Sequence, residues 1–305
     1  MSLWKTTIPC AALAAVGILF PPGALAQEYQ LRVLADGLQQ PNGIAVNAQG
    51  DLFFTQLPTP GVPGPAGGMN RVSRRDGRTG AITTLTLGEP EPTHIVVDRR
   101  ETVYWTCKSA GVILRLERGA TAANLVLGGL QSPSGIAVDQ HGRDRGGLYW
   151  TEIPTPGVAG GGNGVFRLDG VTPTRLSMGE PEPTDIVVDQ QGTLYWTCKS
   201  AGVILAQHRG RTRVLLAGLN HPQGIALDGR GNLYFTEVPT PGVPGTAGGN
   251  NKVWKYDLRR EHLSLVHAGD PEPADVAALP NGVLYWTCKS AGVIVVAVPS
   301  PRSRR

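Results

Sequence analysis

The string WTCKSAGVI stands in this chain three times, at Trp105–Ile113, Trp196–Ile204 and Trp286–Ile294. Each copy follows a Gly-acid-Pro-Glu-Pro element: GEPEP at Gly88–Pro92 and Gly179–Pro183, GDPEP at Gly269–Pro273. A second unit of the type LxxPxGIAV, followed by PTPGV, alternates with it. A threefold repeat of a two-part module restricts the fold severely. Each part must be a supersecondary unit that buries its apolar face against the next one.

The odd units begin at Pro41, Pro133 and Pro222 (PNGIAV, PSGIAV, PQGIAL). The even units begin at Pro92, Pro183 and Pro273 (PTHIVV, PTDIVV, PADVAA). Each opens on a short β-branched run and then turns, usually through Gly. A second run follows with aromatic character, such as DLFFT, TVYWT or NLYFT. A third (VILRLE, GVFRLD, KVWKYD) and a fourth (ANLVLGGL, TRVLLAGL) complete the unit. Four short strands in units of roughly 40–50 residues describe a β-propeller. The expected fold is therefore all-β: a six-bladed β-propeller built from pseudo-threefold two-blade repeats. The segment Tyr29–Leu38 matches the fourth strands at Ala122–Leu130 and Arg211–Leu219, while the last unit stops after its third strand, near Val298. The N-terminal strand is thus expected to complete the last blade, closing the ring and removing two exposed edges.

Residues Met1–Ala26 read as a signal peptide. Lys5 supplies the positive charge, Ile8–Phe20 the apolar segment, and Ala24-Leu25-Ala26 a small-x-small cleavage site. The apolar run is short for a span of about 20 residues. The expectation is a secreted or periplasmic protein with its propeller at residues 27–300 and a basic tail at 301–305. No membrane span is expected, and a monomer is. The net charge of +4 is modest, and no basic stripe suited to nucleic acid appears. Cleavage would leave Cys107, Cys198 and Cys288, an odd set that cannot pair fully within one molecule. Each takes the same place in its repeat, so buried free thiols far apart are expected. A three-thiolate metal site would need all three within about 2.3 Å of one ion.

The pattern P-x-G-I-A-V-D-x-x-G-x-L-Y-x-T-E, nearly complete at Pro133–Glu152 and Pro222–Glu237, resembles the NHL-type repeat. The YWTC strings of the even units are similar to the YWTD group. The resemblance spans the mature chain and extends to the six-bladed superfamily of gluconolactonase- and regucalcin-like enzymes, streptogramin lyases and strictosidine-synthase-like proteins. Some fungal cyclases and hetero-Diels–Alderases lie near it. It implies the fold firmly and the function weakly, because such folds host enzymes and binding modules alike. The even units depart from the pattern by placing Cys107, Cys198 and Cys288 where the acid stands, and the first odd unit has Gln56 there.

In such a ring the loops before the first strand and after the second share one face, and the distinctive strings all fall in them. That face is the expected binding face. The long PTPGV loops (Pro58–Arg71, Pro154–Gly164, Pro239–Lys252) carry Gly amides suited to an anion or carbonyl. They end on Asn70, Asn163 and Asn251, which are either turn residues or ligand contacts. His94, Asp185 and Asp275 fill the slot held by Gly43, Gly135 and Gly224 in the odd units. They are expected at the channel mouth, where one His and two Asp either act as acid and base or bind Ca²⁺ or a transition ion, the other reading of Asp185 and Asp275 being hydrogen bonding to neighbouring loop amides. Glu91, Glu182 and Glu272 are candidate ligands for a divalent cation such as Ca²⁺, the ion implied by the resemblance. Lys108, Lys199 and Lys289 either pair with those glutamates or present a cationic rim to a substrate. Gln56, Glu152 and Glu237 either bond an adjacent blade or touch the ligand. No GxSxG, HExxH or phosphate-loop motif occurs.

Two functions follow. One is an enzyme acting on a small organic molecule, lactonase- or lyase-like, or a cyclase of the hetero-Diels–Alderase kind. The other is a non-catalytic secreted propeller that binds a ligand or protein. Catalysis needs unlike groups, so the breaks in the threefold pattern, His94 and Gln56, carry the enzyme reading.

Overall fold

The computed structural model describes residues 29–58, 69–140, 147–154, 162–239 and 251–300. The expected signal peptide, the basic tail and most of each PTPGV loop lie outside the described residues. Six four-stranded antiparallel sheets are present. Their inner strands are Pro41–Val46, Pro92–Val97, Pro133–Val138, Pro183–Val188, Pro222–Leu227 and Pro273–Ala278. Five blades use consecutive strands. The sixth takes Tyr29–Ala35 as its outer strand, paired antiparallel with Val293–Pro299. The ring therefore closes as the repeat pattern predicts. Among the described residues no helix is long and apolar enough to cross a membrane.

The blades adhere through their aromatic second strands. Successive side chains of a strand point to opposite faces, so Tyr104 and Trp105 serve different neighbours. Trp105 packs with Ala45, Phe53 and Val72 of the blade before, and Tyr104 beside Ile136 and Trp150 of the blade after. The pairs Tyr195-Trp196 and Tyr285-Trp286 repeat the arrangement. Trp105, Trp150, Trp196 and Trp286 have no exposed surface. Burying a side chain of this size stabilises the fold by roughly 2–3 kcal/mol.

Registers fix which loops meet. Pro92 pairs with Cys107, Pro183 with Cys198 and Pro273 with Cys288, while Pro41, Pro133 and Pro222 pair with Gln56, Glu152 and Glu237. The start of each first strand and the end of each second strand thus lie on one face. The residue before each of these prolines has a left-handed backbone: φ is 45° at Gln40, 56° at Glu91, 52° at Ser132, 56° at Glu182, 51° at His221 and 53° at Glu272. Such φ values are costly outside Gly. Each of the six carbonyls accepts the N–H of the residue just past the second strand, at 3.0–3.1 Å. One backbone bond per blade therefore holds the bend.

Candidate functional site on the channel axis

The odd-blade glycines let the even-blade residues reach the axis. A Cβ on Gly135 would stand 2.5 Å from the Asp185 Cα, one on Gly224 2.5 Å from the Asp275 Cα, and one on Gly43 2.4 Å from the Thr93 carbonyl oxygen. Only Gly permits that approach. As a result His94, Asp185 and Asp275 converge, each offering an atom within 4.8 Å of the others, and all three are buried. His94 Nε2 lies 4.0 Å from Asp185 Oδ1.

The two aspartates are held alike. Asp185 accepts the N–H of Ile186 (2.8 Å) and, across the blade boundary, that of Ile225 (3.0 Å). Asp275 accepts from Val276 (2.7 Å) and Ile44 (2.8 Å). His94 has no such pair of bonds, and its Nδ1 is buried without a hydrogen-bond partner. Burial pushes the Asp185 carboxyl up to about 7, against the pull of its two amides. Burial, with Asp185 beside it, pushes Asp275 up to about 8. Burial pushes the His94 imidazole down, opposed by Asp275 and the Ser134 carbonyl. Near neutral pH the group therefore offers both a proton donor and a proton acceptor.

The remaining candidates have other partners. Glu91, Glu182 and Glu272 are half-buried, and among the described residues the group of three close ionisable side chains is His94, Asp185 and Asp275 instead. Lys108, Lys199 and Lys289 meet those glutamates through the backbone, N–H to carbonyl at 3.0 Å. Lys108 also acts through space on His94.

Among the described residues, Gln56, Glu152 and Glu237 bond within their own blades. Each accepts the N–H of the segment leading into its own first strand: Gln39 at 2.9 Å, Gln131 at 3.1 Å and Asn220 at 2.7 Å. Glu152 also holds Trp150 Nε1 (2.9 Å) and Glu237 holds Trp254 Nε1 (2.7 Å). These side chains are buried and committed to their own blade. Asn70, Asn163 and Asn251 are fully buried, and their carbonyls accept from Gly88, Gly179 and Gly269. They tie the ends of the PTPGV loops to the Gly-acid-Pro-Glu-Pro turns.

Two repeated features escaped the sequence reading. The threonine one residue before the end of each second strand is fully buried in all six blades: Thr55, Thr106, Thr151, Thr197, Thr236 and Thr287. Its hydroxyl accepts from its own first strand and donates to the next blade, as Thr197 does from Asp185 N (3.1 Å) to the Gln223 carbonyl (2.6 Å). On the second strand the blade-to-blade bond is thus made by Thr. The first acid of each Gly-acid-Pro-Glu-Pro element is the second feature. Glu89 takes Trp105 Nε1 (3.2 Å) and Cys107 Sγ (3.8 Å), Glu180 takes Trp196 Nε1 (3.4 Å) and Cys198 Sγ (3.9 Å), and Asp270 takes Trp286 Nε1 (2.6 Å). The three thiols are free and buried, and burial pushes each of them up. Repetition of these acids and threonines within the sequence was the available signal.

The sequence matches no protein-family profile. It is similar to the low-density lipoprotein receptor-related protein 1 of Pyricularia oryzae, 28% identical over 278 residues that cover 77% of this chain and 84% of that protein. A gluconolactonase of Xanthomonas campestris has a similar structure: TM-score 0.69, 20% identity, 90% of this chain and 92% of that one. So does regucalcin, a calcium-binding protein of Agrobacterium tumefaciens: TM-score 0.68, 13% identity, 92% of this chain and 97% of that one. The chain thus has the six-bladed propeller fold of the gluconolactonase and regucalcin type. At these identities the likeness is one of fold.

Proposed function

We propose that this protein is an enzyme that acts on a small organic molecule at the mouth of the channel, by lactone hydrolysis or a related elimination. The observation that carries the reading is the convergence of His94, Asp185 and Asp275, three buried ionisable groups on the axis of the loop face. A protonated carboxyl can donate to a leaving oxygen while a neighbouring carboxylate or the neutral His94 accepts a proton from water. The unlike groups needed for both roles are present because one of three equivalent positions carries His.

The structural relatives bring in a divalent cation, since the regucalcin relative is a calcium-binding protein. The residues present fit such an ion, because His94 offers an unpartnered buried nitrogen beside two carboxyls. One nitrogen and two carboxylates suit a divalent transition ion better than Ca²⁺, which takes six to eight oxygens. A bound ion would polarise a carbonyl or acidify water. Ring-closing chemistry would use the same mouth, and the leader at residues 1–26 supports action outside the cytoplasm.

The test is to express the mature chain, measure its metal content, and screen lactones with the wild type and His94→Ala. Turnover lost in the variant supports the enzyme. If no lactone is turned over and none raises the melting temperature, the reading is abandoned. The competing recognition module is favoured by one observation, the near-identity of the threefold loops together with the receptor-related relative. Ligand binding that survives His94→Ala without turnover would select it.

A further inference from the structure

The channel beneath the three ionisable groups is a cavity of about 250 Å³. Its walls come from the repeated Ile-Ala-Val, Ile-Val-Val, Ile-Ala-Leu and Val-Ala-Ala runs, with Asp185 and Asp275 among its lining residues. The backbone there is not equivalent around the ring. Ile44 and Ile225 sit opposite Phe54 and Phe235 of their own second strands, yet they donate their N–H groups sideways to Asp275 and Asp185. Ile95 and Ile136 hold the same register, opposite Trp105 and Trp150, and both line the cavity. By the repeat, their amides occupy the places that Ile186 and Ile225 occupy around Asp185. Where the other two sectors supply a carboxylate, this sector has His94. The amides held by the two channel carboxylates are those of Ile186, Ile225, Val276 and Ile44, which leaves Ile95 and Ile136 outside that set, and the buried His94 Nδ1 has no hydrogen-bond partner.

We propose that this sector of the channel binds the carboxylate of a small organic acid, its two oxygens taking the Ile95 and Ile136 amides as Asp185 takes Ile186 and Ile225. The chain itself shows twice that a carboxylate fits such an amide pair. At roughly 30 Å³ per water-sized group, the cavity holds about eight heavy atoms, the size of hexanoate. Lys108 adds positive potential on this side. The site goes beyond the proposed activity, because it lies inside the channel and requires no reaction.

Protein labelled with ¹⁵N-isoleucine is titrated with hexanoate, hexanamide and hexanol, and turnover of lactones is followed separately. The Ile95 and Ile136 amides are expected to move downfield with hexanoate, at a dissociation constant of about 1 mM or below. Ile44 and Ile225, already held by aspartates, stay in place. His94→Asp supplies the missing carboxylate from the chain, so hexanoate binding should weaken about tenfold or more. If that variant does not fold, the wild-type titration alone decides. Equal shifts with hexanamide or hexanol overturn the carboxylate assignment, and no selective shift of Ile95 and Ile136 overturns the site. Selective shifts without any lactone turnover would end the enzyme reading and leave this site standing.

Discussion

The Gly-acid-Pro-Glu-Pro segments supply two rings of ionisable groups with opposite fates. The outer ring, Glu89, Glu180 and Asp270, is spent on tryptophan N–H groups and, in two copies, a cysteine. The inner ring, His94, Asp185 and Asp275, lies five residues further on and meets on the axis. The outer ring keeps an acid in every copy and has partners for it. The inner ring changes residue type and leaves one buried nitrogen unpartnered. Burial alone does not separate a structural acid from a functional one; the separation comes from whether the neighbours complete its hydrogen bonds.

The strongest attempt to break this contrast is Asp275→Asn. Removing a proton-transfer group costs about 10²–10⁴ in rate, so turnover in the lactone screen should fall by that much while the variant still folds cooperatively. In metal-free protein the substitution should also change the pH dependence of stability. The folded Asp185 and Asp275 sit at about 7 and about 8, above the unfolded value near 3.9. The folded state therefore holds protons that the unfolded state has lost, and stability falls as pH rises from about 4 to about 8. Thermal unfolding across that range should show a shallower fall in Asp275→Asn. An unchanged slope would mean that the inner ring is not buried as described.

Glu180→Ala attacks the outer ring. It strips the partner from Trp196 Nε1, a fully buried donor, and opens a small void. The expected loss is about 2–3 kcal/mol of stability with turnover retained. Denaturant unfolding followed by tryptophan fluorescence measures the first, and the lactone screen the second. Turnover lost at constant stability would move this acid into the functional group and dissolve the contrast.

Much of this was legible in the sequence, and the reason is repetition. Six proline-led units and the displaced strand Tyr29–Ala35 gave blade number and closure, because each repeat had to satisfy the same packing. The slot shared by His94, Asp185, Asp275 and three glycines placed those side chains at the channel mouth. Their approach to within 4.8 Å depends on ring diameter, which only the closed structure reveals. The glutamates at 91, 182 and 272 are the left-handed bend residue of each blade, a backbone role that residue type alone did not reveal. The role of the second-strand acid was hidden in a similar way. Thr and Glu stand next to each other in YWTE, and the pleat sends them to opposite faces. Thr151 takes the neighbouring blade and Glu152 its own.

Thr197→Val tests that seam on a smaller scale. The hydroxyl links Asp185 N to the Gln223 carbonyl, so its loss leaves two buried backbone groups without this partner. The cost should be about 1–2 kcal/mol, read as a lower urea midpoint. Because the same hydroxyl braces Asp185, turnover should fall modestly as well. The equivalent Thr55→Val touches Gly43 rather than a channel acid and should lower stability alone.

The smallest effect lies where the outer ring itself breaks symmetry. Asp270 is one methylene shorter than Glu89 and Glu180, and His267 stands where the other copies have Thr86 and Ser177. The imidazole pairs with Asp270 at 3.3 Å and stacks on Trp286, with centroids 6.2 Å apart. The hydrogen bond to Asp270 raises the His267 imidazole above its ordinary value, against burial. Its contribution is thus fully present below the unfolded value near 6.5 and is lost as pH rises through the folded one. The side chain is a third exposed, and solvent screening keeps the pair under about 1 kcal/mol. His267→Ala should therefore lower the melting temperature more at pH 5 than at pH 9. The double change His267→Ser with Asp270→Glu rebuilds the second copy's arrangement and should restore stability while abolishing the pH difference. A double variant that stays pH-sensitive would show that the difference arises from another group.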